Sequence, residues 1–469
     1  MSVLPASLPL RVSHAARLRG EVRVPPDKSI THRALLLAAM AAGTSRLRGA
    51  STALDPHSTV SCLRALGVTV EPALEAGQTP SAMGPGGLAG AIDWIVRSPG
   101  WLGWRAPDGP LDCGNSGTTM RLLAGLLAGS HVAAELDGDA SLRTRPMRRI
   151  VEPLRAMGAS VEAGGSDDRP PLRVRGRRPL DALDWTTVVP SAQVKSAILL
   201  AGLAAAGTTT VREAVQTRDH TERMLRARGV AVESGQDRDG TSWAVSVEGP
   251  TQVPPLDETI PGDFSAAAFW LVAGAAHPDA ELRLRAVGLN PTRRAALDLL
   301  RAMGAVVEEQ PDAPAATPSG EAGEPRADLV VRSSALAAIE LGPADVARAI
   351  DEIPALALAA ACARGRTIIR GAGELRHKES DRLVGIVEGL SALGARVELE
   401  GDDLRIEGGA GREAHGLRGG PVASHADHRL AMTFAIAGLI ATGDTSLGGA
   451  AAAAVSYPGF FDDLERVRQ

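Results

Sequence analysis

The feature that most constrains this chain is a repeat. Six Ala/Leu-rich helical runs each open on a polar or charged cluster, with β-like sequence following. They read DKSITHRALLLAAMAAG from Asp27, NSGTTMRLLAGLLAG from Asn115, SAQVKSAILLAGLAAAG from Ser191, GDFSAAAFWLVAG from Gly262, DEIPALALAAACARG from Asp351 and DHRLAMTFAIAGLIATG from Asp427. Between them a second helix type ends at a Gly turn and a Val-rich strand, with that Gly at 67, 158, 229, 304 and 394. A period of roughly 70 to 90 residues means one supersecondary unit reused along the chain. Equivalent residues then occupy equivalent places, so the six polar helix starts are predicted to converge on one site.

A chain of 469 residues has ample length for more than one core. Six units divide most simply into two lobes of three, with the joint in the Pro-rich stretch Gly249 to Gly262. The stretches from Gly164 and from Gln310 lack periodicity and are predicted to be surface excursions. A net charge of −5 and only 3% aromatic residues argue against a nucleic-acid surface, which needs basic patches and stacking platforms. Cys62, Cys113 and Cys362 lack CxxC spacing and read as buried reduced thiols. No long apolar run free of Gly or charge suggests a membrane span, and the N-terminal sequence lacks a compact signal-like apolar region, so a cytoplasmic protein is expected.

Helix N-termini carry unpaired N–H groups and partial positive charge, so they favour anions. The first start adds Lys28, Ser29 and Arg33; the second, GNSGT, offers Asn115 or Ser116 as cap and Gly117 for close approach of a ligand. The third adds Ser191, Gln193 and Lys195, and the sixth His428 and Arg429. Further clusters open the second-type helices: Arg143 and Arg145 before Pro146, Arg218 in TRDHTER, and Lys378, Glu379 and Arg382 in RHKESDR. Taken singly, each is an ordinary solvated cation or cap. Their recurrence at helix starts, against the dipole, points to a ligand with several negative charges. Asp351 and Glu379 stand among these cations as candidates for proton transfer or as simple ion-pair partners. His425, Asp427 and His428 have only generic spacing, so no metal is predicted, and no P-loop or dinucleotide motif occurs.

These residues resemble a known family, the enolpyruvyl transferases, in the branch that acts on shikimate 3-phosphate. The resemblance runs through PPDKSITHRALLLAA, LDCGNSGTTMR, GDASLRTRPM, PSAQVKSAILLAGL, TRDHTE, PGDFSAAAFW, DEIPALALAAA, RHKESDRL and ADHRLAM, in that order over essentially the whole chain. It implies an α/β fold of two lobes, each three βαβαββ-type units about a pseudo-threefold axis, with helix N-termini facing the interlobe cleft. Residues 1–24 with 261–469 would form one lobe and 25–260 the other, the N-terminal segment crossing back. It implies that Lys28, Ser29, Arg33, Ser191, Ala192, Gln193, Arg218, Asp351 and Lys378 bind shikimate 3-phosphate. Lys28, Asn115, Gly117, Arg145, Gln193, Arg382 and Arg429 would bind phosphoenolpyruvate. Asp351, Glu379 and Lys28 would be catalytic, with no cofactor and no metal. The partners implied are these two small molecules, with no nucleic acid or membrane, and a monomer is expected.

The chain departs from the family pattern at several points. Val455 stands where many members have Lys, Ala192 where some have Ser, Glu374 where some have Asn and Leu122 where some have Pro. Arg218 would stand in for the hydroxyl that Ala192 does not carry. Gly117 leaves room for glyphosate, a competitor of phosphoenolpyruvate in this family. The sibling branch acting on UDP-N-acetylglucosamine has a Cys at the position of Ala140 and Lys-Asn at Lys28-Ser29, so this chain fits it poorly. A non-catalytic ring around nucleic acid would need helices with exposed basic faces, whereas these carry charge only at their starts.

Overall fold

The computed structural model describes residues 8–73, 90–237, 240–312, 323–409 and 416–469. Residues 1–7 of the N-terminal segment, and 313–322 of the aperiodic stretch from Gln310, lie outside the described residues. The chain forms two compact units. Unit 1 comprises Met1–Pro25, Pro261–Ala313 and Arg326–Gln469; unit 2 comprises Pro26–Ile260 and Pro314–Pro325. The main change of unit falls within the Pro-rich stretch 249–262.

Unit 2 carries helices α1 (Lys28–Met40), α2 (Leu54–Ala65), α3 (Gly117–Ala128), α4 (Arg148–Ala156), α5 (Ala192–Gly202) and α6 (His220–Ala227). α1, α3 and α5 are apolar nearly all round, and such a helix is stable only when buried. Accordingly every residue of α1 from Ile30 to Met40 is buried, and the three helices form the middle of one hydrophobic core. Their starts are capped by side chains: Asp27 accepts from the Ile30 N–H, Ser116 from Thr119 and Ser191 from Val194. Among the described residues, unit 2 has three sheets. In each, a strand that follows a buried helix (Ala42–Ser51, Ala133–Asp137 or Ala205–Glu213) has a parallel neighbour on one side and an antiparallel one on the other.

Unit 1 carries α7 (Phe264–Ala276), α8 (Ala295–Ala302), α9 (Pro343–Arg348), α10 (Ile353–Cys362), α11 (Arg382–Ala392), α12 (His428–Ile440) and α13 (Phe460–Val467). α7, α10 and α12 pack on one another in a second core, and all of α7 and α10 is buried. Asp263 and Asp427 cap α7 and α12. Among the described residues its three sheets include two strands from the N-terminal side: Leu18–Val22 runs parallel to Ala280–Gly288, and Leu10–Ser13 antiparallel to Asp444–Gly448. The mixed α/β architecture is the one expected. One detail differs: α10 begins at Ile353 with Glu352 at the cap position, which places Asp351 in the preceding turn.

The second helix type closes by a shared device. Gly67, Gly158, Gly229, Gly304 and Gly394 all have φ between +77 and +98°. At Gly229, its N–H reaches the Arg226 carbonyl while the Val230 N–H reaches back to Leu225, the two bonds of a Schellman motif. Leu-x-x-x-Gly-aliphatic, with Arg second in four of the five, is therefore a helix stop written in sequence, because only glycine adopts this left-handed backbone without penalty. A Cβ on Gly229 would meet nothing within 4 Å, so its cost is conformational alone. Gly229→Ala is expected to destabilise unit 2 by about 1–2 kcal/mol, and Gly229→Asn by less, read as lower urea midpoints. An alanine variant as stable as the parent contradicts this account.

Candidate active site

In unit 2 the capped starts of α1, α3 and α5 gather the predicted residues. Lys28, the first residue of α1, lies 3.8 Å from Asp55. Arg33, one turn on, is buried and donates to the Thr221 hydroxyl (2.8 Å), the Ser196 hydroxyl (2.9 Å) and the Ser29 carbonyl (3.0 Å). Arg33 thus ties α1 to α5 and α6, beneath the turn that presents Ser29. Gln193 in the first turn of α5 donates to Thr118 (2.8 Å) and accepts from Arg121 (2.7 Å), both on α3. Arg145, just past a short 3₁₀ turn, donates to Asn115 (2.6 Å), which in turn donates to Asp139 (2.8 Å). Gly117 opens α3, and a Cβ there would lie 2.7 Å from Arg121 Nη1 and 3.3 Å from Arg145 Nη1. Ser116, rather than Asn115, caps α3, which leaves the Asn115 amide to orient Arg145.

In unit 1 the predicted residues surround Asp351. Its carboxylate lies 4.0 Å from Lys378 Nζ, 3.7 Å from Arg382 Nη1 and 3.8 Å from Arg429 Nη2. Arg382, buried at the first position of α11, also donates through Nε to Asp427 (2.7 Å) and through Nη2 to Glu379. Glu379 is half exposed. Asp427 does two jobs, since its other oxygen caps α12. Burial, opposed by Asp351, Glu352 and Asp263, acts on Arg429, and the carboxylates prevail to raise its pKa. His428 is pushed down to about 4, chiefly by burial and then by Arg429, so its imidazole is neutral at neutral pH.

One reading needs correction. Lys195, grouped above with the anion-facing residues, is fully buried between Glu213 (2.9 Å) and Glu222 (2.8 Å), because it points from α5 into the core and any anion there is supplied by the protein. The cations also differ in how they are compensated. Lys378, Arg382 and Arg429 each have carboxylates within 4 Å, whereas among the described residues Arg33, Arg121 and Arg145 of unit 2 have none. The residues missed were Arg121, the Glu213 and Glu222 pair, and Glu324, which meets His220 at 2.8 Å and acts electrostatically on Arg33. Arg121 had a signal: it lies one helical turn beyond Gly117. The others depend on long-range packing that spacing does not carry.

The EPSP synthase family model (3-phosphoshikimate 1-carboxyvinyltransferase) matches residues 12–464. The chain belongs to the EPSP synthase family. It is 48% identical over 461 residues to the 3-phosphoshikimate 1-carboxyvinyltransferase of Gloeobacter violaceus, covering 98% of each chain. It is likewise 48% identical over 455 residues to that of Roseiflexus castenholzii, covering 97% of this chain and 98% of that one. Among solved structures, EPSP synthase from Acinetobacter baumannii superposes with a TM-score of 0.85 at 37% identity, over 97% of each chain. The enolpyruvyl transferase NikO from Streptomyces tendae, at 21% identity, a TM-score of 0.72 and coverage of 99% and 98%, shares the fold. Val455 ends a short 3₁₀ turn with an exposed apolar side chain.

The same site has a pH signature. His32, buried in α1 with Nδ1 2.7 Å from the Thr59 hydroxyl, is pushed down to about 3, first by burial and then by Lys28 and Arg33. Its folded-state pKa lies below the ordinary 6.5, so the unfolded chain binds more protons once the pH drops below 6.5. Stability is therefore present above pH 6.5 and lost as pH falls from 6.5 toward about 3, by up to about 1.4 kcal/mol per unit for such a histidine. Urea unfolding at pH 7, 6 and 5 should show this slope, and His32→Asn should flatten it. An unchanged slope in the variant would show that His32 is charged or paired differently.

Proposed function

We infer that this chain transfers the enolpyruvyl group of phosphoenolpyruvate to the 5-hydroxyl of shikimate 3-phosphate and releases phosphate, a step of the shikimate pathway of aromatic amino acid biosynthesis. Membership of the EPSP synthase family carries the reaction. The observation that best supports the residue roles is the Asp351 carboxylate with three cations within 4.0 Å. In the reaction the 5-hydroxyl adds to C2 of phosphoenolpyruvate while C3 gains a proton. Phosphate then leaves C2 of the tetrahedral adduct as C3 gives up a proton, which restores the C2–C3 double bond.

The proposed roles follow. Asp351 accepts the hydroxyl proton, Glu379 handles the C3 proton, and Lys28 lies against both substrates. Cations close to a carboxylate weaken it as a base. Substrate phosphate and carboxylate groups that recruit Lys378, Arg382 and Arg429 would release Asp351 for proton transfer. Ser29, Arg33, Ser191, Ala192, Gln193 and Arg218 take shikimate 3-phosphate with Lys378; Asn115, Gly117, Arg145 and Gln193 take phosphoenolpyruvate with Arg382 and Arg429. Residues 1–24 with 261–469, and 25–260, are the proposed lobes. The protein works as a cytoplasmic monomer without nucleic acid, membrane or metal partner.

Phosphate release from phosphoenolpyruvate should require shikimate 3-phosphate and not occur with UDP-N-acetylglucosamine. Release with the sugar nucleotide alone would transfer the chain to the sibling reaction. Asp351→Asn and Glu379→Gln preserve shape while removing the proton-transfer group. Each should lower kcat by about 10²–10⁴ with the fold retained by circular dichroism. A variant with near-parental kcat would make that residue an ion-pair partner only.

A further inference from the structure

Arg121 is a cation of the α3 start that has no role in the binding sites proposed for either substrate. Its guanidinium donates through Nη1 to Gln193 Oε1 at 2.7 Å, and the Gln193 amide donates onward to Thr118 at 2.8 Å. Gln193 is thereby held at both ends of its amide by residues of α3. The same Nη1 would lie 2.7 Å from a Cβ on Gly117, with Arg145 Nη1 at 3.3 Å from that point. Two guanidinium groups therefore close over the bare Cα of residue 117. Among the described residues neither has a carboxylate within 4 Å; they donate to the neutral amides of Gln193 and Asn115. Such a pair is costly to hold together unless an anion arrives.

From this geometry we propose that Arg121 is a positioning residue for phosphoenolpyruvate: it fixes Gln193 against α3, and it is the group that a side chain at position 117 would displace. Glycine at 117 then serves both to leave space for ligand and to seat Arg121 beside Arg145. A methyl at 117 would stand 2.7 Å from a guanidinium nitrogen, closer than such atoms approach. The guanidinium must shift, which strains its bond to Gln193 and moves one of two converging charges. The depressed pKa of Arg121, down to about 10, follows first from burial and then from Arg145 and Arg149, and agrees with a like-charged, desolvated setting. At neutral pH it remains a cation, so an arriving dianion finds both charges in place.

The proposal rests on the assignment of Gly117, Arg145 and Gln193 to phosphoenolpyruvate, and the experiment separates the two. Four variants of the full chain are compared with the parent by steady-state phosphate release: Gly117→Ala, Arg121→Gln, Arg121→Lys and the double variant Gly117→Ala/Arg121→Gln. Arg121→Gln should raise KM for phosphoenolpyruvate about tenfold or more, as for loss of a charge-assisted hydrogen bond, with a several-fold smaller rise in KM for shikimate 3-phosphate, which shares Gln193 but not the lost charge. Arg121→Lys, which keeps charge and a donor, should recover most of that loss. Gly117→Ala should raise the same KM about tenfold in the parent but less than about twofold in the Arg121→Gln background, because the obstructing nitrogen is gone. Equal effects of Gly117→Ala in both backgrounds would overturn the role of Arg121 while leaving the site assignment standing. No effect of Gly117→Ala in the parent would overturn the assignment and the proposal together. A uniform rise in both KM values for Arg121→Gln, unrelieved by lysine, would reduce Arg121 to a structural residue.

Discussion

A helix with no polar face can meet water only at its ends, and this one constraint organises the protein. α1, α3 and α5 in one unit, and α7, α10 and α12 in the other, are buried along nearly their whole length. Everything charged that belongs to them lies in the first two turns or the turn before the helix. There the unpaired N–H groups are partly consumed by Asp27, Ser116, Ser191, Asp263 and Asp427. What remains at the tips is a set of rigidly mounted cations, because each sits on an element whose displacement would expose a hydrophobic core. Preorganisation at the site is therefore a by-product of core packing.

The two units meet their electrostatic problem differently. Unit 1 neutralises its arginines internally: Arg382 has Asp427, Asp351 and Glu379 around it, and Arg293 lies near Asp263 and Glu352. An anion binding there has to exchange partners with resident carboxylates, so the net gain is a difference of similar terms. Unit 2 leaves Arg33, Arg121 and Arg145 on hydroxyls, carbonyls and amides. An anion arriving there need not displace a paired carboxylate, and it relieves repulsion. On the proposed roles, affinity should draw more on unit 2, whereas Asp351 and Glu379 belong to unit 1.

Much of this was legible in the chain because it is written in local chemistry. The Leu-x-x-x-Gly stop is readable since a Schellman turn needs its glycine within six consecutive residues, and cap residues are readable since they act three residues ahead. Asp351 and Arg145 stood out through recurrence of polar helix starts. What was not legible depends on partners far away in sequence. Lys195 looks in sequence like Lys28, another cation near a helix start, yet it points inward to Glu213 and Glu222 while Lys28 remains partly exposed. Arg121 sits in an apolar helix where its role depends on Gln193, contributed by another repeat. Charge compensation around Asp351 likewise draws on α11 and α12, and no spacing rule reports it.

The course of the backbone has a consequence for how the protein is made. Leu10–Ser13 and Leu18–Val22 belong to unit 1, yet their partners are Asp444–Gly448 and Ala280–Gly288. On a ribosome these two strands emerge before unit 2 and must wait while nearly the whole of it is synthesised before either can pair. An unpaired strand is a template for the wrong neighbour. Their sequences, LRVS and LRGEV, are short, each carries an arginine, and Gly20 interrupts the second. A nascent chain is thereby given little to aggregate with during the wait, and unit 2, whose strands pair almost wholly among themselves, is free to fold first.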